Sequence, residues 1–463
     1  MRVFKSKQQI IDGIHGTVLV LPEEHEVHLM NLERLWIDDV IDDLIGTAVF
    51  APEEEVKKYA RWIIREVGLQ VGVYPASIQS LYDAMGEDKV SGFTVPAMNL
   101  RSPTYDMARA AIRAKRRLNA GPIIFELAKS EMGYTNQSPA EYSACIIAAA
   151  IKEMEGKVSY GPVFIQGDHF QVNASAYNDN AGNEVQKIKS LIDDAIEAGF
   201  YNIDIDTSTL VDLSKSGTSA QQELNYTVSA ELIDYVRQKS PKGVTISVGG
   251  EIGEVGSQNS TPEELRAYMD GLQKLLAEND TLGPSKISVQ TGTSHGGVPA
   301  ADGTVKEVNL DFETLEALSK IAREEYGMAG AVQHGASTLP DDLFDKFPEA
   351  GTAEIHLATG FQNLILDHKK FPKKLREEMY EHLRTHHAEE KKSEWTDEQF
   401  IYKLRKKVHG PFKRQLWNLK SDVKWAIMED LDAKFEYLFL QLGIENTTDL
   451  IDDYFEKVET GIR

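Results

Sequence analysis

From Gly92 to Thr359 the chain alternates short apolar runs with longer amphipathic stretches, and glycines mark many of the joins. GFTVPAMNL, PIIFEL, GPVFIQG, YNIDID, TISVGGE, KISVQTG, GAVQHG and AEIHLAT read as eight strands. The stretches between them, such as YDMARAAIRAKRRL, AEYSACIIAAAIKEMEG and FETLEALSKIAREEYG, carry apolar residues at helical spacing. A strand can lie parallel to its predecessor only after a crossover, so this repeat calls for a parallel sheet. Eight such units predict a closed (β/α)8 TIM barrel rather than an open doubly wound sheet.

The barrel is expected over residues 91–368, with an extension at each end. Residues 1–90 read as an N-terminal α/β extension packed on the barrel: HGTVLVLP is a strand ended by Pro22, and LERLWIDDVIDDLIG and EEEVKKYARWIIREVG are helices ended by glycine. Residues 369–463 read as a charged helical extension, with helices over Trp395 to Leu419 and Val423 to Gly443 among them. His15, Glu24, His25 and His28, like His386 and His387 in the C-terminal part, lie in stretches with the look of solvated surface.

At 463 residues with 41% apolar content, the chain has enough material for one barrel with additions. Its 50 basic against 73 acidic residues leave a formal net charge of −23, which argues against nucleic acid or an anionic membrane as partner. A small anion remains compatible, because a few local cations and N–H groups can hold one. Cys145 is the only cysteine and is expected as a small buried apolar residue, so an intrachain disulfide and a cysteine-based zinc site are excluded. With no signal-like opening and no run long enough to span a bilayer, the expected location is the cytoplasm.

Chemistry concentrates where the strands end. GPVFIQG is followed by Asp168-His169, TISVGG by Glu251, and two further strands lead to His295 in GTSHGG and His334 in VQHGAST. An isolated Asp-His pair is more often a helix cap beside a surface imidazole. Three imidazoles at separate strand ends, each close to glycine, instead suit Zn²⁺ or another divalent metal with a coordination position left for substrate. Strand C-termini are also where barrel loops converge.

These segments, in this order, resemble the class II, metal-dependent fructose-bisphosphate aldolases. The resemblance runs from Gly92 to Asn363, with a fainter match near Arg405, and rests on VPAMN, Asp168-His169, GFYNIDIDTS, Glu251-Ile252-Gly253, GTSHGG and HGAST. It implies Asp168 as catalytic acid/base and His169, His295 and His334 as metal ligands, with Glu251 an alternate ligand and Asp206 a second-site ligand. It further implies that Asn99, Gly296, Gly335, Ser337, His356 and Thr359 hold the substrate or its phosphate. Lys129, Arg101 and Arg405 are added anion-binding candidates, with solvent-exposed roles for Lys129 and Arg101 equally open. A sugar or sugar phosphate as ligand, a zinc or other divalent ion with room for a monovalent cation, and a homodimer or homotetramer complete the expectation.

The resemblance weakens on the last strand. HLATG puts His356 where relatives carry Asn, Ala358 where they carry Asp, and Gly360 in place of the final acid; Ala128 replaces a frequent serine, and Val298-Pro299 replaces Tyr-Lys. The expected reaction is retro-aldol cleavage of a ketose phosphate between C3 and C4, fructose 1,6-bisphosphate by default, with His356 in contact with substrate. A C4 epimerase using the same bond cleavage is the main alternative, and a non-catalytic barrel subunit a further one. A Schiff-base aldolase is disfavoured: Lys286 precedes its strand, and Lys129 has no evident neighbour to depress its pKa.

Overall fold

The computed structural model describes residues 1–154, 161–253, 258–292, 298–299, 305–306, 310–336 and 339–455. Eight parallel strands close a barrel: Val95–Asn99, Ile124–Ala128, Gly161–Gln171, Asn202–Asp206, Ser247–Glu251, Lys286–Val289, Ala331–Gln333 and Glu354–Leu357. The eighth pairs in parallel with the first, Glu354 opposite Val95, which completes the ring. The eight are the strands expected from the alternation, and helices lie between successive strands, the shortest being Lys346–Glu349 between the seventh and eighth. Their residues are almost wholly buried, as continuous apolar runs require when a sheet is covered on both faces.

The third strand is unusually long because one of its edges serves two neighbours, while the other pairs with the second strand. Its first half, Gly161–Phe164, pairs with Val73–Ala76, and its second half pairs with the fourth barrel strand. Residues before Gly92 therefore add a ninth strand to the sheet. The helix that follows, Gln79–Gly86, brings Tyr82 into the barrel interior, where its hydroxyl donates to Glu354. The stretch expected as one helix from Leu32 is two, Leu32–Ile37 and Val40–Phe50, interrupted at Asp38-Asp39. Short acidic side chains compete with the helix for local hydrogen bonds; here Asp38 accepts from Arg34 Nε at 2.9 Å.

The C-terminal part is helical, but Trp395 to Leu419 forms three short pieces: Asp397–Leu404, a 3-10 turn over Arg405–Val408, and Lys413–Trp417. The long helix Ser421–Gln441 packs on Thr104–Arg117, the barrel helix after the first strand. Arg113 and Arg117 pair there with Asp432. Among the described residues no helix is long and apolar enough to cross a membrane.

Candidate active site and metal centre

Asp168 and His169 stand where the third strand breaks register. Gly167 is opposite Ile203, but Phe170 is opposite Ile205, so one extra residue is accommodated between them. His169 takes a left-handed backbone conformation, φ 44°, to do so. Such a bulge re-aims side chains, and an imidazole held at positive φ is backbone strain of the kind found at functional sites. Consecutive strand residues normally face opposite sides of the sheet. Here both approach the seventh strand's His334: Asp168 Oδ1 lies 3.7 Å from His169 Nε2 and 3.5 Å from His334 Nε2. The two imidazole rings stack with centroids 4.2 Å apart.

His169 is oriented from behind. Its Nδ1–H donates to Asp206 Oδ2 at 3.2 Å and faces Glu251 Oε2 at the same distance. Asp206 is fixed in turn by Ser208 Oγ at 2.6 Å and Gln171 Nε2 at 2.5 Å. Burial alone would raise the Asp206 carboxyl, but hydrogen bonds from His169, Ser208 and Gln171 hold it at about 2. Burial, reinforced by Asp206, pushes Glu251 up to about 7. Carboxylate–imidazole pairs of this form present the far nitrogen to a metal. Asp168, His169 and His334 thus offer one oxygen and two nitrogens within 4.8 Å of one another, a donor set that suits zinc or another divalent cation. In the ion-free protein burial and the neighbouring His356 and His169 keep His334 neutral.

Beneath this group the barrel interior is charged. Lys286, the first residue of the sixth strand, places Nζ 2.5 Å from Glu354 Oε1, 3.0 Å from Asp204 Oδ1 and 2.8 Å from Gln166 Oε1. Despite burial those acids raise its pKa, so it is an ammonium and no carbonyl nucleophile. The expectation that Lys286 precedes its strand is corrected, while the case against a Schiff base gains a physical reason. His356 joins this network to Asp168: Nδ1 lies 3.2 Å from Asp168 Oδ1 and 3.0 Å from Glu126 Oε2, and Nε2 lies 2.6 Å from Glu354 Oε1. Burial opposes charge on His356, but Glu126 and Asp168 hold it as an imidazolium. Burial likewise opposes charge on Asp168, yet His169, His356 and the hydrogen bond with His334 keep it a carboxylate.

Above lies a cavity of about 540 Å³, within the ordinary range for a small-molecule site. Asn99, Arg101, Lys129, Asp168, His169, His334, Gly335, His356 and Thr359 all line it, so most of the candidate residues converge. Asn99 presents a buried carbonyl oxygen with no hydrogen-bond partner among the described residues. Asp206 and Glu251 reach it only through His169. Arg405 does not join: its guanidinium is taken by Asp367 at 2.8 Å and Asn363 at 2.6 Å, which tie the C-terminal segment to the helix after the eighth strand. That contact removes it as a substrate ligand. His295, Gly296 and Ser337 lie outside the described residues. Sequence reading overlooked the inward acids Glu126, Asp204 and Glu354 and, from beyond the barrel, Tyr402, Lys403 and Lys406.

A parallel barrel with a His/Asp constellation at its strand ends has the layout of a barrel enzyme, with its polar groups gathered at the mouth. The chain belongs to the class II fructose-bisphosphate aldolase family, whose family model, Fructose-bisphosphate aldolase class-II, matches residues 79–438. Among solved structures it is similar to a probable tagatose 6 phosphate kinase from Sinorhizobium meliloti 1021, with TM-score 0.52 and 16% identity over 78% of this chain and 99% of that one. It is also similar to the fructuronate-tagaturonate epimerase UxaE from Cohnella laeviribosi, with TM-score 0.52 and 12% identity over 85% and 86%. A comparison with curated protein sequences found no match.

Proposed function

We propose that the protein cleaves and forms the C3–C4 bond of a ketose or ketose phosphate, with Asp168 as the acid/base and His169, His295 and His334 as ligands of a divalent metal. The observation that carries this reading is the convergence of Asp168, His169 and His334 on one point at the floor of the cavity. A divalent ion held there would act as a Lewis acid on the substrate carbonyl. Asp168, kept as a carboxylate by the surrounding imidazoles, takes the proton of the C4 hydroxyl. The C3–C4 electron pair then passes to the carbonyl-bearing fragment, and C4 leaves as an aldehyde. In the reverse direction Asp168 returns the proton to the oxygen at C4. Asn99, with its unpartnered carbonyl oxygen, is placed to accept from a substrate hydroxyl.

A C4 epimerase is the second reading, and the residues that line the cavity from outside the barrel favour it. Tyr402, Lys403 and Lys406 reach the rim from outside the barrel. An epimerase must retain the aldehyde while it turns its other face, and walls extended by these residues would hinder its escape. The similarity to an epimerase in fold is compatible with this reading. Incubating the metal-loaded protein with fructose, fructose 6-phosphate, fructose 1,6-bisphosphate and ketose acids, then identifying products, tests both. Trapped triose products support the aldolase; a C4-epimeric ketose without free aldehyde supports the epimerase. Turnover of none, at full metal loading, would refute both.

A further inference from the structure

Three further imidazoles gather where the helix Lys373–His386 ends. His382 and His386 are at i and i+4, one helical turn apart, so both project from one face of the helix. Their rings stack with centroids 4.2 Å apart. His387 is the first residue past the helix, and its ring centre lies 6.1 Å from that of His382. Two imidazoles on one tetrahedral zinc have ring centres roughly 5 Å apart, given a Zn–N distance of about 2.1 Å. The two observed separations bracket that value. None of the three lines the cavity at the barrel mouth.

The hydrogen bonds of these rings set which nitrogen carries the proton. His386 Nδ1–H donates to the His382 carbonyl at 3.0 Å, and His387 Nδ1–H donates to Glu390 Oε1 at 2.7 Å. Both acceptors take a proton from Nδ1 and leave the lone pair on Nε2, the arrangement in which an imidazole ligates a metal. His382 stands edge-on to Phe412, with ring centres 5.5 Å apart. Burial and the two neighbouring imidazoles lower its pKa, which favours the neutral, ligating form. Glu389 and Glu390 each bring a carboxylate oxygen within 4.8 Å of a His387 nitrogen. Two nearby cations are engaged elsewhere, Arg384 by Asp397 at 2.8 Å and Lys407 by Glu390.

We propose that His382, His386 and His387 form a second metal site, for Zn²⁺ or a divalent cation of similar ligand preference, with the Glu389 carboxylate as a further ligand. His382 and His386 supply the chelate, and His387 extends it past the helix end to the turn Ala388–Glu390. Glu390 also holds Lys407, and the helix packs on the turn Arg405–Val408, so an ion here staples the C-terminal segment together. Its role is structural and independent of the chemistry at the barrel mouth. Exposed at His386, the site releases its ion on dialysis into metal-free buffer, unlike the ion proposed at the mouth.

Equilibrium dialysis of the full chain against micromolar free Zn²⁺, with bound metal read by elemental analysis, tests the site. His386→Gln and His382→Gln should each bind about one ion per chain fewer than wild type, and the same difference should appear in a His169→Ala background. Without metal, His386→Gln should melt with wild type; added Zn²⁺ should raise the melting temperature of wild type more than that of the variant. Its kcat, measured with the mouth loaded, should be unchanged. Equal ion counts in wild type and both variants would overturn the site. A count that falls only in His382→Gln, together with a lower metal-free melting temperature, would trace the effect to packing against Phe412 and overturn the chelate as well. Loss of the ion from both variants of a protein that turns over no ketose would uphold this site and count against the aldol reading alone.

Discussion

Asp168 is a carboxylate because of its neighbours, and its proposed role can be tested apart from metal binding. Asp168→Asn should keep about one metal per chain by elemental analysis while kcat falls a hundredfold or more, the scale of losing a general acid/base. Loss of metal with activity would make it a ligand instead. His356 is the neighbour that the last strand's altered sequence supplies. Its two nitrogens face Asp168, Glu126 and Glu354, so His356→Asn removes the buried cation shared by these acids. Removing one partner of a buried charge pair typically costs about 3–5 kcal/mol, and urea unfolding should detect a loss of that order. Glu251 provides a pH signature in the metal-free protein. Its folded pKa of about 7 exceeds the ordinary value, so the folded state binds more protons between roughly pH 4.3 and 7. Its contribution to stability is therefore greatest below that window and declines as pH rises through it. Wild type should lose melting temperature relative to Glu251→Gln between pH 5 and 7; parallel curves would contradict the assignment.

Single strands carry the geometry that residues alone do not. On the fifth strand Gly249 makes room for the buried ion pair: a Cβ there would lie 2.3 Å from Asp204 Oδ1 and 3.0 Å from Lys286 Cε. Gly249→Ala should destabilise the protein by about 1–3 kcal/mol, the usual cost of overpacking, read from the denaturation midpoint. On the third strand the bulge at Asp168-His169 turns two successive side chains to one centre. The polar pairs Gln166/Asp168, Asp204/Asp206 and Glu354/His356 were visible in the sequence at a spacing of two, which places each pair on one face of its strand. That spacing could have revealed the inward acids. Which face turns inward, and that Lys286 would meet them, depended on register between strands far apart in the chain.

For the whole molecule, a divalent metal held as proposed would join strands three and seven through His169 and His334. A ligand that binds only the folded state stabilises it by about 2.7 kcal/mol at a hundred times its Kd. Treatment with a chelator should therefore abolish activity and lower the melting temperature, and zinc should restore both. A chelator-treated protein with unchanged melting curve and full turnover would exclude the metal centre.

Local pattern alone determined much of this protein. Alternating apolar runs and amphipathic stretches specified eight strands, because burial on both faces demands near-continuous apolar residues in each. Glycine-flanked His and Asp residues just beyond those runs marked the mouth. Closure of the ring, with Glu354 opposite Val95, was decided only by tertiary structure. So was the ninth strand at Val73–Ala76, whose partner lies far along the chain. Arg405 shows the same limit: its charge was legible as a candidate for an anion, but Asp367 and Asn363 claimed it once the C-terminal segment docked. That docking instead brought Lys403 and Lys406 to the rim. Periodicity records which side of an element is buried, whereas the partner across the interface is set by packing between segments that share no local sequence signal.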